Sequence, residues 1–385
     1  MMHPGGGSPG AQDASDASLI PGLGWDFIAR SPVVAAARRA VRIQSLMVRL
    51  KDIAAEAGVS VMTVSKALRD KPDLSSATKA RIQALARQMG YVPDVSASGL
   101  RNRKTRLLGL VIPAPTDPVY SRVLLALENQ AYERGYDLLV AYSLGSTERE
   151  ESVLRRFMAR RVDGVFIAPV YRMASSAPIY EDLAKQAVPT VLLGHKATFC
   201  QGFTNVETDD LGASAAMTRH LLSLGHRRIA FLAGPTHSPW AQERLEGHRR
   251  ALREAGVVPD DQLVFHAGST VEEGASAALQ FIQENPGATA LQAANDLVAI
   301  GAADALLNQG VRIPQDLSVA GFGNVLVSEF FRVPLTTVRQ PKLRLGSVAM
   351  DLMQRLLDGE RPASVRIPAE TVFRASTAAV VVPGP

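Results

Sequence analysis

At 385 residues the chain is too long for one compact domain and has room for two or three. An apolar fraction of 46% with both charge signs is that of an ordinary soluble globular protein; the single cysteine, Cys200, excludes an internal disulfide and a cysteine-rich zinc site, and it fits a reducing cytosol. The net charge of +5 is unevenly placed, with twelve basic residues against five acidic between Met47 and Arg106 and four arginines against three aspartates in residues 1–46, leaving −3 from Leu107 onward.

A basic head on a slightly acidic body points to a polyanion partner for the head alone. No apolar run approaches the roughly 20 residues that cross a bilayer, so no membrane partner is expected. Residues 1–46 are rich in Gly and Pro, then in Ala and Ser, and place Arg38, Arg39 and Arg42 after the apolar residues, the reverse of a secretory signal. They read as a disordered extension or an upstream start assigned in error, because Met47 opens the ordered pattern.

The head, residues 47–93, begins with apolar residues at helical spacing, Ile53, Ala54, Ala57, Val59, Val64 and Leu68, interrupted by Gly58. A helix must stop there, and Ser60 is placed to cap a second one near Thr63. This is a helix-turn-helix, whose second helix enters the major groove by its N-terminal end. With Val64, Ala67 and Leu68 turned inward, Val61, Met62, Ser65, Lys66 and Arg69 face DNA. Lys66 suits guanine O6 and N7, Val61 and Met62 a thymine methyl or hydrophobic base edge, and Thr63, Ser65 and Arg69 the phosphates. A third helix is predicted from an N-cap at Ser75 or Ser76 through Met89, buried on Ile82, Leu85, Ala86 and Met89, with Pro93 preventing continuation.

The run from Lys51 to Ser60, KDIAAEAGVS, followed by Thr63 to Leu68, TVSKAL, resembles the signature of the LacI/GalR family of bacterial transcriptional regulators, over about Met47 to Thr377. The resemblance implies that Val61, Met62 and Lys66 read bases and that Arg69, Ser75 and Thr78 touch the backbone. It makes residues 94–106 a hinge that folds on the operator, with Leu100 as the minor-groove wedge and Ala97 the small groove-facing residue. Gly99 should lower hinge helicity by about 1 kcal/mol against alanine.

From residue 107 to 385, short apolar runs of parallel-strand type alternate with helical stretches: Leu107–Pro113, Tyr136–Tyr142, Val162–Pro169, Pro189–Gly194, Arg228–Gly234, Leu263–Ala267, Ala290–Ala294 and Leu317–Phe322. Repeated strand-helix units make parallel sheets with helices on both faces, and ligands bind such sheets beyond the strands' carboxyl ends. The candidates there are Asp117, Tyr120, His195, Trp240, Arg244, Asn295, Asp296 and Asn324. They form no catalytic set, metal cluster or cofactor cradle, so an enzyme is not expected. They are hydrogen bonders and stackers for a polyol or purine-like ligand. His220, His226, His237 and His248 read as surface or core residues.

The resemblance implies a two-lobed periplasmic-binding-protein-like core. One lobe takes about 107–208 and 339–368, the other about 209–338 and 369–385. It matches Arg244-Leu245-Glu246-Gly247 and Ala294-Asn295-Asp296 to effector-binding motifs, and Leu335–Pro341 to the crossover. Gly194 and Gly323 stand where many relatives place an effector-binding aspartate, which leaves His195 or Asn324 to compensate, or a different ligand. The implied molecule is a cytoplasmic repressor, a homodimer on a pseudopalindromic double-stranded operator, controlled by a sugar or related small-molecule effector.

Overall fold

The computed structural model describes residues 48–92 and 104–380. The chain divides into two units, one ending at Asp94 and the other starting at Val95. The extension over residues 1–46, and Ala97 and Leu100 of the connector, lie outside the described residues.

Three helices build the head: α1 (Leu50–Ala57), α2 (Val61–Leu68) and α3 (Ser76–Gln88). The Asp52 carboxylate accepts the Arg49 N–H at 2.8 Å to start α1. Gly58, at φ 65°, ends it in the left-handed region, and the Val59 N–H returns to the Ala54 carbonyl at 3.1 Å. Ser60 accepts from the Thr63 N–H at 3.1 Å and Ser75 from the Thr78 N–H at 3.2 Å, so α2 and α3 each begin on a serine cap. Ile53, Ala54, Ala57, Val64, Ala67, Ile82 and Ala86 are buried together, with Val59, Leu85 and Met89 half-buried around them. The Arg81 guanidinium and Gln83 amide donate to the carbonyls of Ala57 and Ala67 at the ends of α1 and α2.

The larger unit runs β1 (Leu107–Ile112), α4 (Tyr120–Glu133), β2 (Asp137–Tyr142), α5 (Thr147–Ala159), β3 (Gly164–Ile167), α6 (Pro178–Lys185), β4 (Thr190–Leu193) and β5 (Thr204–Thr208). It continues with α7 (Asp210–Ser223), β6 (Ile229–Ala233), α8 (Pro239–Glu254), β7 (Val264–His266), α9 (Val271–Glu284), β8 (Ala290–Ala293), α10 (Asp296–Asn308) and β9 (Ser318–Ala320). It closes with α11 (Leu326–Phe330), β10 (Thr337–Arg339), α12 (Lys342–Leu357), β11 (Val365–Ile367) and β12 (Glu370–Val372).

Two parallel sheets result, ordered β11-β5-β4-β3-β1-β2 and β7-β6-β8-β9. Val111 of β1 lies between Ala141 of β2 and Ile167 of β3. In the first sheet the order reverses at β1 and in the second at β6, so each opens a crevice at its strands' carboxyl ends. Apolar side chains pack on both faces of each sheet.

Three features depart from the sequence reading. β5 carries the polar run Thr204–Thr208 and β11 has only three residues, so neither shows an apolar strand pattern. Asn205 is buried in β5 because its amide donates to the Gly194 carbonyl and the Glu207 carboxylate, each at 2.8 Å. The third is a separate antiparallel pair, β10 with β12, which joins the crossover to the C-terminal segment.

A polar chain runs through the interior of the second lobe. His248 Nδ1 lies 3.0 Å from Thr218 Oγ1, which donates to Gln292 Oε1 at 2.6 Å, and the Gln292 amide reaches Ser214. Burial drives the His248 pKa down to about 4. A neutral histidine in the fold stabilises fully above its unfolded value, and that stability is lost as pH falls. Between pH about 6.5 and about 4 the protonation of His248 should cost up to about 3 kcal/mol. Denaturant midpoints measured across that window should fall less steeply in His248→Gln than in the parent; equal slopes would refute this assignment.

Candidate functional site

On the head, α2 turns Val64 and Ala67 inward, and helical geometry then places Val61, Met62, Ser65, Lys66 and Arg69 on the other side. Val61 and Met62 are 45% and 61% exposed, which is unfavourable for two apolar residues at the tip of a helix unless they meet a partner. Arg69 folds back along the helix, its Nε donating to the Ser65 carbonyl at 2.9 Å and a terminal nitrogen to the Ser65 hydroxyl at 2.6 Å. The Thr63 hydroxyl lies 2.9 Å from that of Ser60, and the Thr78 hydroxyl 2.8 Å from that of Ser75, so these four share their protons at two helix starts. Lys66 Nζ is 2.5 Å from the Asp73 carboxylate.

In the larger unit a cavity of about 410 Å³ lies between the two sheets. Seven of the eight sequence candidates line it: Asp117, Tyr120, His195, Trp240, Arg244, Asn295 and Asp296. Asp117 caps α4 by accepting from the N–H groups of Val119 and Tyr120, and burial raises its pKa. The Tyr120 hydroxyl donates to the Leu193 carbonyl, which sets its ring as a wall. Asn295 caps α10 through its Oδ1 and donates its amide to the Ser269 carbonyl.

Arg244 is buried, its guanidinium carbon 3.7 Å from the Phe322 ring centroid and 4.6 Å from that of Trp240. It donates twice to Asp210 Oδ1, at 2.8 and 3.0 Å, and once to the Ala294 carbonyl at 2.6 Å. Burial raises the Asp210 pKa against the pull of Arg244 and His195.

Asn324 departs from the expectation. It is not among the cavity-lining residues: its Oδ1 accepts from Arg374 at 2.8 Å and its carbonyl from Lys342 at 3.0 Å. Its φ of 50° and the Arg374 guanidinium commit it to the scaffold. Asp296 touches the cavity, but both carboxylate oxygens are occupied by scaffold donors, the hydroxyls of Thr337 and Ser328 and the Val325 N–H. The missing side chain at Gly194 has a local cause: at φ 123°, a Cβ there would come within 3.2 Å of the Tyr171 hydroxyl.

Sequence reasoning missed Tyr171, Glu207, Asp210, His237 and Gln340 on the cavity wall. Tyr171 and His237 follow predicted strands and were open to the carboxyl-end rule. Glu207 and Asp210 sit in and after β5, whose polar pattern hid it.

The two lobes are also joined by charge. Arg366 on β11 pairs with Glu207 at 2.6 Å and with Glu243 on α8 at 2.8 Å, and His195 Nε2 lies 3.1 Å from Glu243 and 3.5 Å from Asp210. Burial disfavours the imidazolium of His195, but the Glu243 hydrogen bond and the charges of Asp210 and Glu207 outweigh it and raise the pKa. The group bridges as a cation below its unfolded pKa, and that attraction is lost as pH rises through the raised folded value.

No group of three or more His, Cys, Asp or Glu side chains placed to hold a metal occurs among the described residues, nor a helix long and apolar enough to cross a membrane.

Residues 49–94 match the family model described as bacterial regulatory proteins, lacI family, and residues 218–377 that of a periplasmic binding protein-like domain. The chain is 32% identical to the ribose operon repressor of Escherichia coli (strain K12), over 80% of its own length and 92% of that protein. It is 29% identical to the HTH-type transcriptional repressor CytR of the same organism, covering 88% and 98% respectively. The crystal structure of the lac repressor dimer bound to operator and the anti-inducer ONPF superposes with a TM-score of 0.79 at 26% identity, over 86% of this chain and 99% of that one.

Two outcomes test the geometry. Asp296→Ala strips one acceptor from three buried donors and should destabilise the larger unit by about 3 kcal/mol, read from the denaturant midpoint; a change near zero would show the carboxylate is dispensable to the scaffold. In the ligand-free protein, an inter-lobe fluorescence distance should lengthen as pH rises through the raised His195 value, and His195→Gln should abolish the pH dependence.

Proposed function

We propose, on the premise that this chain belongs to the lacI family of bacterial regulatory proteins, that it is a sequence-specific DNA-binding transcriptional repressor whose operator affinity is set by a small polar molecule held between its core lobes. One observation carries the reading: Val61, Met62 and Lys66, with Arg69 at the C-cap, are presented together by a helix whose other side is locked into the head's core. Apolar tips for thymine methyls, an ammonium for guanine and a guanidinium for phosphate are what a major-groove reader needs.

The head spans 47–93, the connector 94–106 and the core 107–385. The protein works as a homodimer, because two heads related by a two-fold axis match a pseudopalindrome. It acts in the cytoplasm, on the nucleoid when bound, and by binding without turnover. The cleft's aromatic walls, Tyr120 and Trp240, and its amide and hydroxyl groups favour a ring carrying several hydrogen-bonding groups, a sugar or a nucleoside-like metabolite. Asp117, Tyr120, His195, Trp240 and Asn295 are the residues assigned to contact it. Arg244 and Asp296 hold the wall, and Asn324 is withdrawn from the set.

Selection from a randomised duplex library should return a two-fold-related site. On that site Lys66→Ala should relax preference at one base pair per half-site, whereas Arg69→Ala should weaken all sequences alike and reduce the salt slope by about one. Absence of any enriched sequence would refute the repressor reading. In a thermal-shift panel of neutral sugars and nucleosides, the molecule that raises the melting temperature should lose its effect in Trp240→Ala and change operator affinity in the parent protein.

A further inference from the structure

Asp73 stands in the turn before α3, outside every residue assigned above to DNA. Its Oδ2 lies 2.5 Å from Lys66 Nζ, and the two side chains are 50% and 39% exposed. An exposed pair of this kind adds next to nothing to stability. The backbone around it is nonetheless fixed, since Leu74 packs on the head's core and Ser75 caps α3. The other cation nearby, Lys79, is held by Asp70 at 2.8 Å.

We infer that Lys66 and Asp73 together read one guanine·cytosine base pair, the ammonium donating to guanine and the carboxylate accepting from the cytosine of the same pair. The inference rests on the assignment of α2 to the major groove.

The spacing is what recommends it. In a G·C pair the guanine O6 and the cytosine N4 are partners in one hydrogen bond and so lie about 2.9 Å apart on the major-groove edge. Lys66 Nζ and Asp73 Oδ2, hydrogen-bonded to one another on the protein, present the complementary donor and acceptor side by side. The ammonium has three protons and reaches guanine N7 beside O6, while the carboxylate meets only the cytosine amine.

The other three pairs suit the couple less well. A T·A pair has the same order of acceptor and donor, but the ammonium then faces the thymine methyl and the carboxylate lies beside the adenine N7 lone pair. In the reversed pairs, C·G and A·T, the carboxylate meets a carbonyl or ring-nitrogen lone pair and is repelled. Lys66 by itself would accept any phosphate or base acceptor. Asp73 therefore supplies the repulsive element on which discrimination depends, at a cost in affinity because it is an anion brought against a polyanion. The hydrogen bond from Lys66 holds the Asp73 carboxyl below its ordinary value, so it stays ionised.

The test uses the full chain and duplexes carrying its selected site, with each base pair varied in turn, for the parent, Lys66→Ala, Asp73→Ala, Asp73→Asn and the double alanine variant. The parent should require G·C at one position of each half-site. Asp73→Ala should lose about tenfold of the preference at that position alone, and it should bind random-sequence DNA more tightly, with a steeper salt dependence. Asp73→Asn, which keeps an acceptor but no charge, should fall between. Lys66→Ala should lose preference at the same position, and the double variant no more than the larger single loss. Unchanged base preferences in Asp73→Ala, or a change at a position different from that of Lys66→Ala, would overturn the composite reader and leave the repressor reading intact. A parent that enriches no sequence would overturn both.

Discussion

Moving the Asp210 carboxylate out of water costs several kcal/mol, and the fold offsets much of that cost because the Arg244 guanidinium meets it with two hydrogen bonds, His195 lies nearby, and Phe322 and Trp240 cover the guanidinium faces. Asp210 opens α7 and Arg244 sits in the second turn of the adjacent α8, and the third Arg244 bond goes to the carbonyl of Ala294 just past the end of β8. One ion pair therefore ties two helices and a strand end into one wall of the cleft. Removing either partner would strand a buried charge.

Around that wall, polar side chains are consumed by the scaffold before any ligand arrives. Asp296 binds the crossover through Thr337, Asn295 caps a helix, and Asp117 caps another. What remains to meet a ligand are aromatic faces, the unused edges of capping groups, and wall side chains such as His237 and Gln340. The lobes themselves are held by Glu243, which Arg366 and His195 reach from the opposite side, so closure and the protonation of His195 are linked.

The head follows the same economy on its exposed surface. Lys66 and Arg69 are each engaged within the head, by Asp73 and by Ser65. DNA must compete for both, and a phosphate competes for Arg69 without regard to sequence. Lys66 is different because its partner is an anion that DNA can satisfy only through a base donor, which links the pairing of two surface side chains to the choice of sequence.

Local chemistry was readable in the sequence by itself: the stop at Gly58, the cap at Ser60 and a second at Ser75 or Ser76, the inward Val64 and Ala67, and the apolar strands of both sheets. Each depends on neighbours a few residues away, where spacing dictates geometry. The family signature extended that reading to the two-lobed core. Tertiary structure alone decided which way the polar groups of the cleft face. Asp296 looked like a ligand-binding carboxylate and is bonded by residues 29, 32 and 41 positions along the chain, while Asn324 is held by Arg374 at a separation of 50. The polar strand β5 was invisible because its buried Asn205 is satisfied by Gly194, across the sheet, and only pairing in space makes such a run a strand. A hydrogen-bond partner distant in sequence leaves no periodic trace, and burial of a charge can be judged only when the group that compensates it is in place.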